Sequence, residues 1–157
     1  MNKLFLFLAF AVFALVACSE DKPESTHSEL CAKIPITKEC LAGRWYLDRV
    51  EKANSQCNPN KDIENYLKFT KKGQFSFKGG YNNLILETNG NWELNETGLT
   101  IDCKSGDCIE GIYPIDATVD IYNSGAELRI STTKSHSSFL QCGMPGSIEV
   151  YTWQGNN

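Results

Sequence analysis

Apolar and polar residues alternate through most of the chain beyond residue 41, which is the pattern of β-strands that bury one face. The longest strict alternation places Ile115, Ala117, Val119 and Ile121 on one face and polar residues on the other. Shorter runs of the same kind begin at Trp45, Leu67, Phe75, Leu84, Trp92, Leu99, Leu128 and Ile148. The pattern predicts about eight or nine short strands.

Polar, glycine-containing segments separate these alternating runs. The predicted turns are 71–73, 79–80, 89–90, 95–98 and 123–125. Among them, Asn89-Gly90 carries the strongest short-range hairpin signal. Tight turns between consecutive strands favour an up-and-down order, and closure of the sheet removes its exposed edges. The sequence therefore predicts an all-β fold, a small antiparallel up-and-down β-barrel of about eight strands, with a sandwich as the alternative. Helical turns are expected at 31–41 and 54–65.

The N-terminal segment has a different pattern. Lys3 is followed by an unbroken apolar run over 4–17, which is shorter than the roughly 20 residues that a membrane span needs. Such a run is typical of the apolar core of a signal peptide. Its end, Leu15-Val16-Ala17-Cys18, resembles the lipobox of bacterial lipoproteins. The alternative is an ordinary secretory signal with an unrelated cysteine.

The lipobox resemblance implies that the chain is cleaved before Cys18 and that Cys18 carries acyl chains such as palmitate. Two or more acyl chains anchor a protein stably in a membrane. Ser19 follows the cysteine in place of the aspartate that retains many such proteins at the inner membrane, so the outer membrane of the bacterial envelope is favoured. Residues 1–17 are thus predicted to be a lipoprotein signal peptide.

The segment after Cys18 is polar and charged almost throughout. It cannot bury enough apolar surface to fold, so residues 18–29 are predicted to be a flexible tether in which His27 is solvated. Residues 30–157 are predicted to form one domain. The whole chain has a formal charge of −4, and Lys3 is the only charged residue of the signal peptide, so the mature chain carries −5. With no basic cluster either, nucleic acid is not an expected partner.

Seven cysteines are present, of which Cys18 is expected to carry lipid. The other six are Cys31, Cys40, Cys57, Cys103, Cys108 and Cys142. An even number in an exported chain predicts a disulfide-stapled domain, although the sequence alone does not choose among the possible pairings. Cys103 and Cys108 flank a polar, glycine-containing segment that can turn, so we expect them to pair. Cys31 with Cys40, and Cys57 with Cys142, then follow by elimination.

The segment 41–47 contains Gly43 and Trp45 in the arrangement Gly-x-Trp at the start of the first predicted strand. This arrangement resembles the lipocalin signature. Segments 66–75 and 90–101 resemble the bacterial lipocalin-like lipoproteins. The resemblance implies that Gly43 lets the chain turn into the first strand and that Trp45 packs across the closed end of the barrel. It also implies a small apolar ligand, and it relates Arg129 to the basic residue that covers the tryptophan.

Candidate catalytic chemistry is sparse. His136 is the only histidine of the predicted domain and lies in a polar stretch that is predicted to be an exposed loop. The sequence has no Gly-x-Ser-x-Gly motif, no phosphate-binding glycine loop and no Cys-x-x-Cys pair for a metal. We therefore expect neither an enzyme nor a cofactor-binding or metal-binding protein.

Two function classes remain from the sequence. The first is a carrier of a small apolar molecule. The second is a protein-binding module, such as a hydrolase inhibitor, an assembly accessory or a host-facing surface lipoprotein. The short hairpins are also similar to those of META-type envelope domains. In a barrel, the Trp45 indole is expected to be buried with its N–H paired, whereas a surface contact for a partner would leave it exposed.

Overall fold

A computed structural model describes residues 25–51, 62–81, 84–96, 98–108, 110–111, 113–132 and 147–155. In these residues, eight antiparallel strands form a closed barrel in which each strand pairs with its neighbours in sequence and β1 pairs with β8. The strands are β1 (Gly43–Glu51), β2 (Tyr66–Phe69), β3 (Gln74–Tyr81), β4 (Leu84–Asn95), β5 (Gly98–Gly106), β6 (Ile115–Tyr122), β7 (Glu127–Thr132) and β8 (Ile148–Trp153). The predicted all-β, up-and-down barrel is confirmed.

Two short helices precede the barrel, α1 (His27–Cys31) and α2 (Lys38–Leu41), and a 3₁₀ turn at Asn123–Gly125 joins β6 to β7. Within the described part of the chain, no helix is both long enough and apolar enough to cross a bilayer. The predicted signal peptide and four residues singled out from the sequence lie outside the described residues. These four are Cys18, Cys57, His136 and Cys142.

The barrel interior is built from alternate residues of each strand, as the alternation predicts. The buried apolar core contains Leu41, Trp45, Leu67, Phe69, Phe75, Phe77, Trp92, Leu99, Ile101, Ile115, Ala117, Leu128, Ile130 and Tyr151. Burial of an aliphatic or aromatic side chain of this size contributes roughly 1.5–3 kcal/mol, so this core is the main source of stability. The break in the face of β1 at Arg49, visible in the sequence, coincides with a shift in register between Leu47 and Arg49 against β8.

Two predicted turns are wrong. Asn89-Gly90 lies inside the continuous strand β4, and Gly79-Gly80 lies inside β3. Gly90 pairs with Phe75, and a Cβ atom there would collide with the Phe75 ring and the backbone carbonyl of Asp102. These glycines therefore permit close packing inside the sheet, a role that glycine in a strand interior often has.

The other predicted turns are confirmed where the structure describes them. Gly73 has a positive φ of 82° between β2 and β3, which glycine adopts without steric cost. Asn95 pairs with Gly98 to close the β4–β5 hairpin.

Two of the three expected disulfides lie among the described residues, and both are confirmed. Cys31 and Cys40 are joined with Cα atoms 4.8 Å apart, and this bridge ties α1 to α2. Cys103 and Cys108 are joined with Cα atoms 5.7 Å apart. The second bridge does not cross a hairpin, however, because β5 continues through Gly106 and Cys108 follows the end of the strand.

Candidate functional site

The two ends of the barrel differ in how the chain covers them. Strand β1 begins at the end where α1 and α2 lie and where the short connections β2–β3, β4–β5 and β6–β7 turn. We call this the helix-covered end. Residues 52–65, 107–114 and 133–147 connect strands at the opposite end, which we call the long-loop end. Binding residues concentrate on long connections carried by a rigid sheet, which makes the interior beside them a candidate site.

At the helix-covered end, Trp45 is fully buried. Its indole N–H donates to the Leu41 carbonyl oxygen at 2.9 Å. Gly43 precedes it with φ 142°, and Trp45 pairs with Leu67 of β2 and Trp153 of β8. The expected burial and pairing of the Trp45 indole are therefore confirmed, and the alternative in which Trp45 is an exposed contact is wrong.

The prediction that His27 is solvated in a flexible tether is wrong, because His27 packs on the barrel. Its ring stacks on Trp153 with centroids 3.9 Å apart and meets Trp45 edge-on at 5.5 Å. Thr26 and Glu29 cap each other's backbone N–H groups, and this capping box starts helix α1 at His27. The polar composition of the segment does not reveal the helix. The chain therefore contacts the barrel before Leu30, within the predicted tether.

The His27 imidazole is held in its neutral form. Its Nε2 lies 3.0 Å from the Gly125 carbonyl oxygen, a distance at which Nε2–H donates. Burial lowers the pKa of His27 below 6.5, and the hydrogen bond to Gly125 offsets part of that effect. His27 therefore packs over the aromatic pair as an uncharged ring.

Arg129 does not cover Trp45. It lies on the outer face of β7, where its guanidinium carbon is 4.7 Å from the centre of the Tyr122 ring. It also pairs with Glu127 at 2.7 Å and Glu51 at 3.4 Å. Alternate residues of β7 face outward, which places Arg129 on the side of the sheet away from the tryptophan. The place over Trp45 belongs to His27 instead.

Toward the long-loop end the interior acquires polar side chains. Four polar residues are almost completely buried there, namely Thr88, Thr132, Ser147 and Glu149. Glu149 lies opposite Val50 and Ile130, and it shares its face of β8 with the buried Tyr151. The half-buried Tyr113 hydroxyl hydrogen-bonds the Thr88 side chain. The described interior is therefore apolar toward one end and hydrogen-bonding toward the other.

Glu149 and Tyr151 form a short polar contact in this interior. The Tyr151 hydroxyl donates to Glu149 Oε2 at 2.6 Å, the length of a charge-assisted hydrogen bond. Burial, and then the negative charge of Glu149, raise the pKa of Tyr151 well above 10. Tyr151 therefore stays protonated at neutral pH and acts as a fixed donor. Together the two side chains place oxygen atoms inside a largely apolar barrel.

Glu149 is not among the predicted site residues, although the sequence contains a signal for it. Glu149, Tyr151 and Trp153 alternate on one face of the last strand, and Ile148, Val150 and Thr152 alternate on the other. Two aromatic residues mark the first of these faces as the interior, and Glu149 is then an inward carboxylic acid. Among the described residues, no group of three or more His, Cys, Asp or Glu side chains is placed to hold a metal ion.

Searches against protein-family models, curated proteins and solved structures find no match to this chain. The resemblance of 41–101 to lipocalin-like lipoproteins therefore stays a prediction, and functional inference rests on the barrel itself.

Proposed function

We propose that this protein is a non-enzymatic, lipid-anchored envelope lipoprotein whose barrel binds a small, largely apolar molecule. The observation that carries the proposal is the division of the barrel interior into an apolar part and a buried hydrogen-bonding part. A closed barrel of about eight strands can be filled by its own side chains or can hold one small ligand. Ligand sites typically combine an apolar lining with a few fixed polar groups.

The binding site in this proposal is the interior near the long-loop end. Glu149 and Tyr151 lie 2.6 Å apart there and supply the polar contact. The apolar side chains of Ile130 and Ile115, both buried, supply the surrounding surface. The opposite end is closed by Trp45 and His27.

The experiment is to extract the full chain gently from membranes and identify copurified small molecules by mass spectrometry. Affinity for the recovered molecule is then compared in Glu149→Gln and Tyr151→Phe. Loss of a hydrogen bond to a charged group costs roughly 1.5–3 kcal/mol, so we expect affinity to fall about tenfold or more. Asp120→Asn is the matched control, because Asp120 is an exposed carboxylate on the outer face of β6. If no molecule copurifies and an apolar fluorescent probe does not bind, the carrier proposal is wrong.

The anchor is part of the same proposal and has its own test. The apolar run 4–17 and the Leu15-Val16-Ala17-Cys18 sequence support lipidation of Cys18. Cys18→Ala is expected to leave an unlipidated precursor that keeps residues 1–17. Mass spectrometry of wild-type protein from membranes is expected to show an acylated N-terminal cysteine. A mature wild-type chain with an unmodified Cys18 thiol would contradict this part of the proposal.

A further inference from the structure

The loop between α1 and α2 presents an apolar side chain to solvent at the helix-covered end. Ile34 is 97% exposed, whereas the other exposed large apolar residues among those described, Ile85 and Tyr122, are 49% and 47% exposed. The loop is held from both sides, because the Cys31–Cys40 bridge closes it and Ile36 packs against the hydrophobic core. Ile34 therefore projects from a fixed loop and does not pack onto the barrel.

Lysine side chains lie around this loop, two in segment 25–41 and two in the β2–β3 turn. The turn lies beside α2, because Trp92 contacts both. The Lys38 ammonium group is 5.6 Å from the centre of the Trp92 ring, and the Trp92 indole N–H donates to the Thr70 carbonyl oxygen at 3.0 Å. The four lysines are Lys33, Lys38, Lys71 and Lys72.

The charge of this surface is opposite in sign to that of the whole chain. Segments 25–41 and 70–74 contain four lysines and two glutamates and so carry a formal charge of +2, in a mature chain that carries −5. The other two short turns at this end add only Glu96. No carboxylate of a described residue lies within ion-pair distance of the four lysines, whereas Lys78 and Lys104 each pair with one. The ammonium groups of this surface are therefore available to an anionic partner.

The lipid anchor proposed at Cys18, on which this step depends, keeps the helix-covered end near a bilayer. Ser25, where the described chain begins, lies seven positions after Cys18. A chain of that length reaches at most about 25 Å when it is fully extended. Helix α1 begins two residues later, at His27, which stacks on Trp153 at the helix-covered end. The surface that carries Ile34 is therefore at the end of the barrel to which the anchor is attached.

We propose that the helix-covered end docks on an anionic lipid bilayer, with Ile34 among the lipids and the lysines against their headgroups. An apolar side chain gains free energy on entering the interfacial region, and lysines close to an anionic lipid surface are attracted to it. Their long apolar stems let the ammonium groups reach the headgroups from the sides of the loop.

A protein partner is the competing occupant of this surface. Stable protein interfaces bury more than about 1,000 Å² and have an apolar core depleted in charged residues. Within 25–41 and 70–74, Ile34 is the only exposed large apolar residue, and it is surrounded by lysines. One projecting apolar side chain among cationic groups fits a charged lipid surface better than it fits a protein interface.

The test places the full chain from membranes in vesicles of phosphatidylcholine and phosphatidylglycerol whose brominated acyl chains quench tryptophan on contact. Ile34→Trp puts an indole on the loop. Ile85→Trp is the matched control, because Ile85 is an exposed isoleucine at the start of β4, at the long-loop end. The signal of the three native tryptophans is measured in the wild type and subtracted. We expect the indole at position 34 to be strongly quenched and its emission to shift to shorter wavelength, and the indole at position 85 to show neither effect.

The charge of the surface is tested in the Ile34→Trp protein. Lys71→Gln/Lys72→Gln is expected to reduce the quenching, since two attractions to phosphatidylglycerol are lost. Lys78→Gln/Lys104→Gln removes the same charge from the wall of the barrel and is expected to leave the quenching unchanged. Melting temperatures establish that all variants are folded. The proposal is overturned if the indole at position 34 is not quenched, if positions 34 and 85 are quenched equally, or if the two lysine pairs have equal effects.

Failure of the anchor is distinguished from failure of the surface by mass spectrometry of the same sample. If Cys18 is unmodified, the proposed anchor is wrong, and the unacylated Ile34→Trp chain is mixed with the same vesicles to test the surface by itself. Quenching of its added indole then supports docking on the bilayer, and the absence of quenching overturns it.

Discussion

The two ends of the barrel stabilise their interiors by different means. At the helix-covered end, large aromatic side chains fill the space and their N–H groups donate to backbone carbonyls: Trp45 to Leu41 at 2.9 Å and Trp92 to Thr70 at 3.0 Å. Toward the long-loop end, side chains satisfy one another, as Tyr151 does with Glu149. Loss of side-chain volume destabilises an apolar core, whereas loss of one partner destabilises a polar network by leaving a buried polar group unsatisfied. The first arrangement suits a structural plug, and the second suits a site that recognises a ligand.

The largest expected loss of stability is at the helix-covered end, where Trp45 and its aromatic neighbours form the plug. Trp45→Ala removes a fully buried indole, and truncation of this kind costs about 3–5 kcal/mol against a total stability of roughly 5–15 kcal/mol. The free energy of unfolding from urea titration measures the loss. Affinity for the proposed ligand is expected to fall only as far as the protein unfolds.

Trp153→Ala is the comparison for Trp45→Ala, because Trp153 is partly exposed and its indole N–H has no acceptor among the described residues. We expect a clearly smaller loss of stability. Equal losses in the two variants would mean that Trp45 has no special place in the plug.

The two described disulfides are expected to contribute differently to the stability of the two ends of the barrel. Cys31→Ser/Cys40→Ser opens a short loop, and the chain-entropy argument gives a loss of about 2–3 kcal/mol. It also frees α1, which holds His27 on Trp153. Cys103→Ser/Cys108→Ser opens a shorter loop at the exposed end of β5, so its loss is expected to be smaller.

Chemical denaturation of both double variants, with intact protein as reference, measures this difference. If removal of the Cys103–Cys108 bridge costs more than removal of the Cys31–Cys40 bridge, then α1 contributes little to closing the barrel. Near-ultraviolet circular dichroism gives an independent readout, because only release of α1 changes the environment of Trp153.

Tyr151→Phe tests the polar part of the interior. The variant keeps the ring but removes the donor to Glu149 Oε2, leaving a buried carboxylate with one hydrogen bond fewer. We expect a loss of about 1–3 kcal/mol in the free energy of unfolding. Tyr46→Phe, which removes a hydroxyl from the outer face, is the control and is expected to change stability by less. A loss from Tyr151→Phe no larger than that of the control would show that the hydrogen bond is not part of the barrel's stability.

Strand alternation predicts the strands and their buried faces, because burial of one face per strand is a local property that the sequence displays directly. The tight turns and the closure of exposed edges favour the barrel over the sandwich. The expected burial of Trp45, with its indole N–H paired, is also confirmed. Asn89-Gly90 and Gly79-Gly80 were misjudged, because glycine serves turns and close packing alike. Only the neighbouring strand, with the Phe75 ring opposite Gly90, decides between these roles.

The residues of the candidate site were harder to predict for a different reason. Glu149 shares its face of β8 with Tyr151 and Trp153, which is a signal that it points inward, but Ile148 and Val150 on the other face are apolar too, and the pairing with β1 and β7 decides between the faces. His27 is distant in sequence from Trp153, and its contact depends on the capping of α1 and on the Cys31–Cys40 bridge. Such long-range contacts leave no local pattern in the chain.

The smallest expected effect concerns the pH dependence of the helix-covered end. Burial lowers the pKa of His27 in the folded protein below its value of about 6.5 in the unfolded chain. The unfolded state therefore binds the proton more readily, and stability is lost as pH falls from about 6.5 toward the folded pKa. Above about pH 7 both states hold a neutral imidazole, and this contribution is fully present.

His27→Gln removes this titration while keeping a polar side chain that can still donate to the Gly125 carbonyl. We expect the melting temperature of the wild-type protein to fall between pH 7.5 and pH 5.5. The melting temperature of the variant is expected to fall measurably less over the same range. His136 is the other histidine of the chain and remains in both proteins, so its effect cancels in the comparison. If the melting temperatures of both proteins fall equally on acidification, protonation of His27 does not make the stability of the barrel depend on pH.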